Sequence, residues 1–350
     1  MRKPLALLLL LPLILVTGLV TGLPAQEEAE APRTIDDRPT HLEGWEDMRC
    51  AKCHEEIAEE WAGTLHAQAW IDERFQEALA KKRRPQSCYG CHIPEPLHSG
   101  PLGRKPKPRE DLAVDPHHHG VSCKSCHLGP DGVMLGPYES GPGNEISKAH
   151  DSRQGENFVE GPGRNALCIN CHRTNVGPVI GIAKDFEVTR QADKGRSCVG
   201  CHMPEVERSH AIVYDEDGSV AYTAPVREGR SHTLLTPRDP GFLAKSFELE
   251  PLPGAVGLLV ANKAGHRVPG LKTRSMTFRV TALAADGSEL GSSEETIDAE
   301  SFLPVDGSLR ISVAVETGRA ASLRVVGLHE WIGPEEPVVF LEQELALGDD

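Results

Sequence analysis

Cys50-Ala-Lys-Cys53-His54, Cys88-Tyr-Gly-Cys91-His92, Cys123-Lys-Ser-Cys126-His127, Cys168-Ile-Asn-Cys171-His172 and Cys198-Val-Gly-Cys201-His202 are five copies of one pattern, Cys-x-x-Cys-His. They use all 10 cysteines of the 350-residue chain. Two thiols at this spacing reach the two vinyl groups on one edge of a haem, and the histidine that follows falls under the iron as an axial ligand. A zinc ribbon has no need of a histidine directly after every second cysteine, and a disulfide framework would not space its cysteines so uniformly. The pattern therefore predicts five covalently attached haem c groups. Each cysteine pair would carry one of them, with His54, His92, His127, His172 and His202 on the irons.

Working outward, residues 1–25 read as a secretory signal: Arg2 and Lys3 precede an apolar run that ends near Ala25. Leu23 is larger than the usual residue at that point of a cleavage site, and Pro12 interrupts the run. A retained N-terminal membrane anchor is thus the alternative to cleavage. No cysteine stands at the boundary to carry a lipid. Covalent haem attachment takes place outside the cytoplasmic membrane, so an exported, periplasmic protein is expected. Residues 26–44, rich in Glu, Ala and Pro without an apolar period, read as a flexible acidic linker. The formal net charge is −15, which favours solubility and basic partners and argues against nucleic acid.

The five motifs lie within residues 45–235, a stretch poor in large apolar side chains; aromatics make up 5% of the chain. Such a segment does not fold well on its own side chains, so the haems must supply its core. Ile57, Trp61, Leu65, Ile71, Phe75 and Leu79 repeat at helical spacing and predict one helix over 55–82. Gly- and Pro-dense connections elsewhere read as loops over haem faces. Beyond Leu235 the cysteines stop and β-type runs begin, at 257–262, 277–284, 309–315, 323–328 and 338–341, with Asp286-Gly287 and Asp306-Gly307 as turns. Residues 236–350 thus predict a small β-sandwich-like domain, a structural cap or docking module.

Eleven histidines stand outside the motifs. An iron with histidine on both faces suits electron transfer, whereas an open face binds substrate, so these residues decide between carrier and enzyme. His66 lies twelve residues after His54. On one helix that is roughly 18 Å along the axis, so His66 should ligate a different haem. His150, His210 and His232 sit in loop-rich sequence suited to positioning ligands. One of His117, His118 and His119 is expected to ligate. His98 reads as either a ligand or a surface residue, and His329, beside Trp331, as structural. The basic runs Lys81-Lys82-Arg83-Arg84 and Arg104-Lys105-Pro106-Lys107 read either as solvated charge or as a dock for an acidic redox partner.

The stretch Cys50 to Trp70, with Trp61 and His66-Ala67, and Gly120-Val-Ser-Cys-Lys-Ser-Cys-His127 resemble multihaem cytochromes related to the tetrahaem electron acceptor of hydroxylamine oxidoreductase. Cys198-Val-Gly-Cys-His-Met-Pro204, followed by Ser209-His210, resembles part of the pentahaem nitrite reductases and their relatives. Asn262-Lys-Ala-Gly-His-Arg-Val-Pro-Gly270 is similar to a Gly-His-x-x-Pro-x-Gly element of related strand domains, without the Thr that often lies between Pro and Gly. The resemblance implies a mainly α/irregular multihaem cytochrome domain followed by a small all-β domain. It also implies a closely stacked haem chain with mostly bis-histidine irons. His66, His150, His210 and His232 become distal ligands by this likeness, and His266 one that reaches back from the strand domain. No motif here carries the lysine of the nitrite reductases' catalytic haem, and hydroxylamine oxidoreductases have more haems than this chain can attach. The expected function is periplasmic electron transfer to redox partner proteins in the periplasm or membrane. The alternative is an oxidoreductase acting on a small nitrogen or sulfur compound at one five-coordinate haem.

Overall fold

The structure is a computed structural model that describes residues 50–109, 120–138, 150–331 and 336–348. The signal, the linker and His117, His118 and His119 lie outside the described residues. Among the described residues no helix is long and apolar enough to cross a membrane.

The first half is a string of short helices. They are α1 (Glu55–Ala62), α2 (Glu73–Ala80), α3 (Gln86–His92), α4 (Cys123–His127), α5 (Ala166–His172), α6 (Ile182–Val188) and α7 (Cys198–His202). A parallel pair, β1 (Met134–Gly136) with β2 (Ser152–Gln154), interrupts them. Each Cys-x-x-Cys-His run occupies one short helical turn, the first as the 3-10 turn Cys50–Lys52.

The helix expected over 55–82 is two helices with a turn region between them. The Thr64 hydroxyl donates to Trp61 O (2.7 Å) and accepts from Ala67 N (3.1 Å), offering the backbone an alternative to the helical ladder. The chain leading into the third motif then inserts: Val121 N donates to His66 O (2.9 Å), and Trp61 Nε1 to Val121 O (2.9 Å). Only glycine fits this crossing. Gly120 has φ +116°, and a Cβ there would stand 2.5 Å from His66 O.

Antiparallel strands follow α7. Two small ribbons come first, β3 (Glu205–Ser209) with β6 (Val226–Arg230), and β4 (Ile212–Tyr214) with β5 (Val220–Thr223). They fall in a stretch the sequence suggested was loop. After α8 (Pro240–Ala244) come β7 (Phe247–Pro251), β8 (Gly257–Asn262), β9 (Arg274–Leu283), β10 (Glu289–Ile297), β11 (Ser308–Ser312), β12 (Ser322–Trp331) and β13 (Val338–Ala346). They make a four-stranded sheet, β10-β9-β12-β13, and a three-stranded sheet, β11-β8-β7. Both contribute to one core: Leu258, Val260 and Ile311 from one, Phe278, Val280, Leu323, Val325 and Phe340 from the other. Alternation is clear on β12, where every second residue from Leu323 to His329 is buried. Strand β10 went unpredicted because its sequence, Glu-Leu-Gly-Ser-Ser-Glu-Glu-Thr-Ile, is that of a solvated edge.

Candidate haem-binding site

In four of the five motifs the histidine ring is fixed by the main chain. The Nδ1–H of His54 donates to His210 O (2.5 Å), that of His92 to Ala69 O (2.5 Å), that of His127 to Leu135 O (2.7 Å) and that of His202 to Leu235 O (2.6 Å). A carbonyl on Nδ1 sets the tautomer and leaves Nε2 for a metal. Burial pushes the pKa of His127 and His172 down to about 4 and lowers that of His54 and His92. The lowering in these four rings favours the neutral imidazole, the form that ligates.

Across from these rings stand imidazoles from outside the motifs. Ring centres are 6.2 Å apart for His54 and His150, 6.1 Å for His66 and His172, 6.1 Å for His127 and His232, and 6.4 Å for His202 and His266. Two Nε2 atoms bridged by a metal at about 2.0 Å would hold ring centres roughly 6.3 Å apart. The four pairs have that spacing. His232 and His266 also turn Nδ1 to the backbone, toward Arg230 O (3.0 Å) and Arg267 O (2.8 Å). His66 is pushed down to about 4 by burial, and burial lowers the pKa of His232 and His266 too.

All ten cysteines and all ten of these motif and non-motif histidines, His210 included, line one continuous cavity of about 2450 Å³. That is several times the ~300–1,000 Å³ of a usual small-molecule pocket, room for several large flat groups. None of the ten cysteines is in a disulfide. Among the described residues no three or more His, Cys, Asp or Glu side chains converge as a metal cage. Thiols of different motifs do meet: Cys50 with Cys123, Cys91 with Cys171, and Cys168 with Cys198, while Cys126 lies near Cys171. The donor set is thus paired thiols and opposed imidazoles around an apolar space, which fits haem c and not a zinc ribbon.

His210 is arranged differently from the other four non-motif histidines. Its carbonyl oxygen backs Nδ1 of His54, and its ring centre lies 6.3 Å from that of His54. A histidine's own carbonyl lies within roughly 6 Å of its ring, whereas a ring opposite Nε2 of His54 would be roughly 9 Å from that oxygen. The His210 ring therefore lies beside His54, with a buried, unpartnered Nδ1, and His150 is the imidazole across from it. His92 is flanked by Phe75, parallel at 3.6 Å, and no imidazole faces it among the described residues. His98 spends its Nε2 on Cys126 O (3.1 Å).

Sequence reading missed the residues that hold the opposed imidazoles. Glu60 on α1 accepts from His232 N (2.7 Å) and receives both guanidinium nitrogens of half-buried Arg208 (2.9 and 2.8 Å). Asn262 donates to His266 O (3.0 Å), Leu303 O (3.2 Å) and Pro304 O (2.9 Å), closing the loop that carries His266. Asp185 on α6 grips Arg267 through two oxygens (2.6 and 2.8 Å) and so ties that loop to the helical half. Glu60 and Asp185 look in sequence like ordinary helix-surface acids, and only the Asn at the head of the Gly265-His266 element gave a signal.

The family model described as "Cytochrome c554 and c-prime" matches residues 49–128. No curated protein matches the chain by sequence. Among solved structures, a penta-heme cytochrome c552 from Thermochromatium tepidum superposes with a TM-score of 0.50 at 14% identity, over 85% of this chain and 97% of that one. This second likeness is one of fold. Residues 49–128, which hold the first three motifs, are thus similar in sequence to a cytochrome c family, and the fold as a whole is similar to that of a penta-heme cytochrome.

Proposed function

We propose that the protein is an exported, periplasmic pentahaem electron carrier. The observation that carries this reading is the set of four opposed imidazole pairs at 6.1–6.4 Å. Such pairs close both faces of an iron and make it a low-spin electron relay. The assignments are His54 with His150, His127 with His232, His172 with His66 and His202 with His266. Meeting thiols support an order of contact in which the first haem adjoins the third, and the fourth adjoins the second, third and fifth. His210 acts through its carbonyl, which orients His54.

The two basic runs support a docking face for an acidic redox partner. Lys81–Arg84 lead directly into α3, and Lys105 donates to Ser87 O on the same helix, with Pro106 packed on Gly90. These exposed cations therefore collect around the second motif, and none is ion-paired among the described residues.

The surroundings of His92 favour one further reading, a small-molecule oxidoreductase at the second haem. An EPR spectrum of the ferric holoprotein tests both. The carrier predicts low-spin signals for at least the four paired irons. A high-spin signal amounting to one haem would assign the oxidoreductase reading to the His92 iron, and several high-spin irons would overturn the carrier.

A further inference from the structure

The buried face shared by β9 and β12 changes character at one end. Val280, Phe278 and Met276 on β9, and Leu323 and Val325 on β12, are apolar core. The same face then continues through the cross-strand pairs His329↔Met276 and Trp331↔Arg274. Arg274 is 7% exposed and His329 2%. Arg274 Nε and His329 Nε2 are both buried with no hydrogen-bond partner. Glu330, the nearest acid in sequence, points to the opposite face, toward Ser275.

Two more cations close on this end from other elements. The guanidinium carbon of Arg274 lies 3.9 Å from the Trp331 ring centre, that of Arg238 5.4 Å and that of Arg74 5.8 Å. Neither Arg274 nor Arg238 meets a carboxylate among the described residues. Burial, with Arg238 beside it, pushes Arg274 down to about 10, and burial pushes His329 down to about 4. Stacking on Trp331 accounts for the faces of the guanidinium groups but leaves Arg274 Nε without a partner. Arg74, Arg238, Arg274 and Trp331 all border the haem cavity. Arg74 adjoins Phe75, which stacks on His92, and Arg238 follows Leu235, whose carbonyl holds His202.

We propose that Arg274 and Arg238, with Arg74 at the rim, form a carboxylate-binding site contributed by the strand half to a haem propionate. This inference rests on the multihaem reading. A carboxylate accepts from the guanidinium groups of Arg274 and Arg238, neither of which meets an acid among the described residues. The role that follows for the site is redox tuning: a cation held near a haem favours the reduced state, which carries one positive charge fewer. Arg274 is thus a positioning and tuning residue, distant from the iron's own ligands.

The test is a spectroelectrochemical titration of holoprotein carrying Arg274→Gln, Arg274→Lys or Arg238→Gln. Arg274→Gln should lower the midpoint potential of one haem while haem content and the low-spin spectrum stay as in the wild type. Arg274→Lys should restore most of the potential. Arg238→Gln, an exposed position that does not threaten folding, should lower the same potential by less. Added acetate should leave the wild type unmoved. Five haems by mass with unchanged potentials in Arg274→Gln and Arg238→Gln would overturn the inference and leave packing on Trp331 as the role of Arg274. A wild-type potential that follows acetate concentration would overturn the haem as the source of the carboxylate. A chain without haem would overturn the multihaem reading and this inference together.

Discussion

Between Phe247 and Ala346 the chain closes two sheets over side chains such as Leu258, Val260, Phe278, Val280 and Leu323, which are almost wholly buried. Between Cys50 and Leu235 the same chain surrounds a cavity of about 2450 Å³, and its buried apolar residues are mostly small, such as Ala58, Ala62, Ala67 and Ala183. One half carries its core in its own sequence, and the other is built around groups that must be attached. A sheet whose inward positions alternate can exclude water unaided. Short helices joined by Gly- and Pro-rich connections cannot bury enough surface to offset the entropy of ordering them. The second kind of fold is therefore conditional on its cofactor.

The strongest way to break this comparison is to make the chain without haem attachment. The expected outcome is a protein whose strand signature persists in far-UV circular dichroism while residues 50–235 are cut readily by protease. Protection of both halves would show that the helical half has a core of its own. A sharper test lies in the strand half. Phe278→Ala empties a fully buried position where Phe247 and Phe340 pack, at ring-centre distances of 5.0 and 5.8 Å. The loss should be about 3–5 kcal/mol in denaturant unfolding of that half, with the haem absorbance bands unchanged. The smallest structural effect is expected at the basic face around α3. Lys81→Glu with Lys82→Glu should leave the melting temperature in place. It should slow oxidation of the reduced holoprotein by ferricyanide about tenfold at low ionic strength, with the difference vanishing in high salt. An unchanged rate would return these lysines to plain solvated charge.

The two halves also differ in how they could be read. Strand β8 was legible to the residue, because Gly257-Leu-Leu-Val-Ala-Asn262 is apolar and bounded by turns, whereas β10 was illegible because an edge strand needs no apolar pattern. In the helical half the motifs announced their chemistry, but the apolar repeat from Ile57 to Leu79 suggested a single helix. The repeat is real on both sides of the break. The break after α1 joins the local bonds of Thr64 to a contact with Gly120-Val121, more than fifty residues away, which no local pattern records.

The sequence by itself determined the covalent chemistry: ten cysteines in Cys-x-x-Cys-His order, the proximal histidines, and the change from a cysteine-bearing half to a strand half. These are local facts, since a thioether pair and its histidine span five consecutive residues. Tertiary structure alone decided which imidazole faces which. His66 stands across from His172, and His266 comes out of the strand half to face His202, while His210, equal to His150 in sequence context, offers its carbonyl instead. It also decided that Glu60 and Arg208, or Arg274 and His329, share one place. A ligand pair across an iron is a relation between two points in space, and spacing along a chain fixes such a relation only when one rigid element carries both.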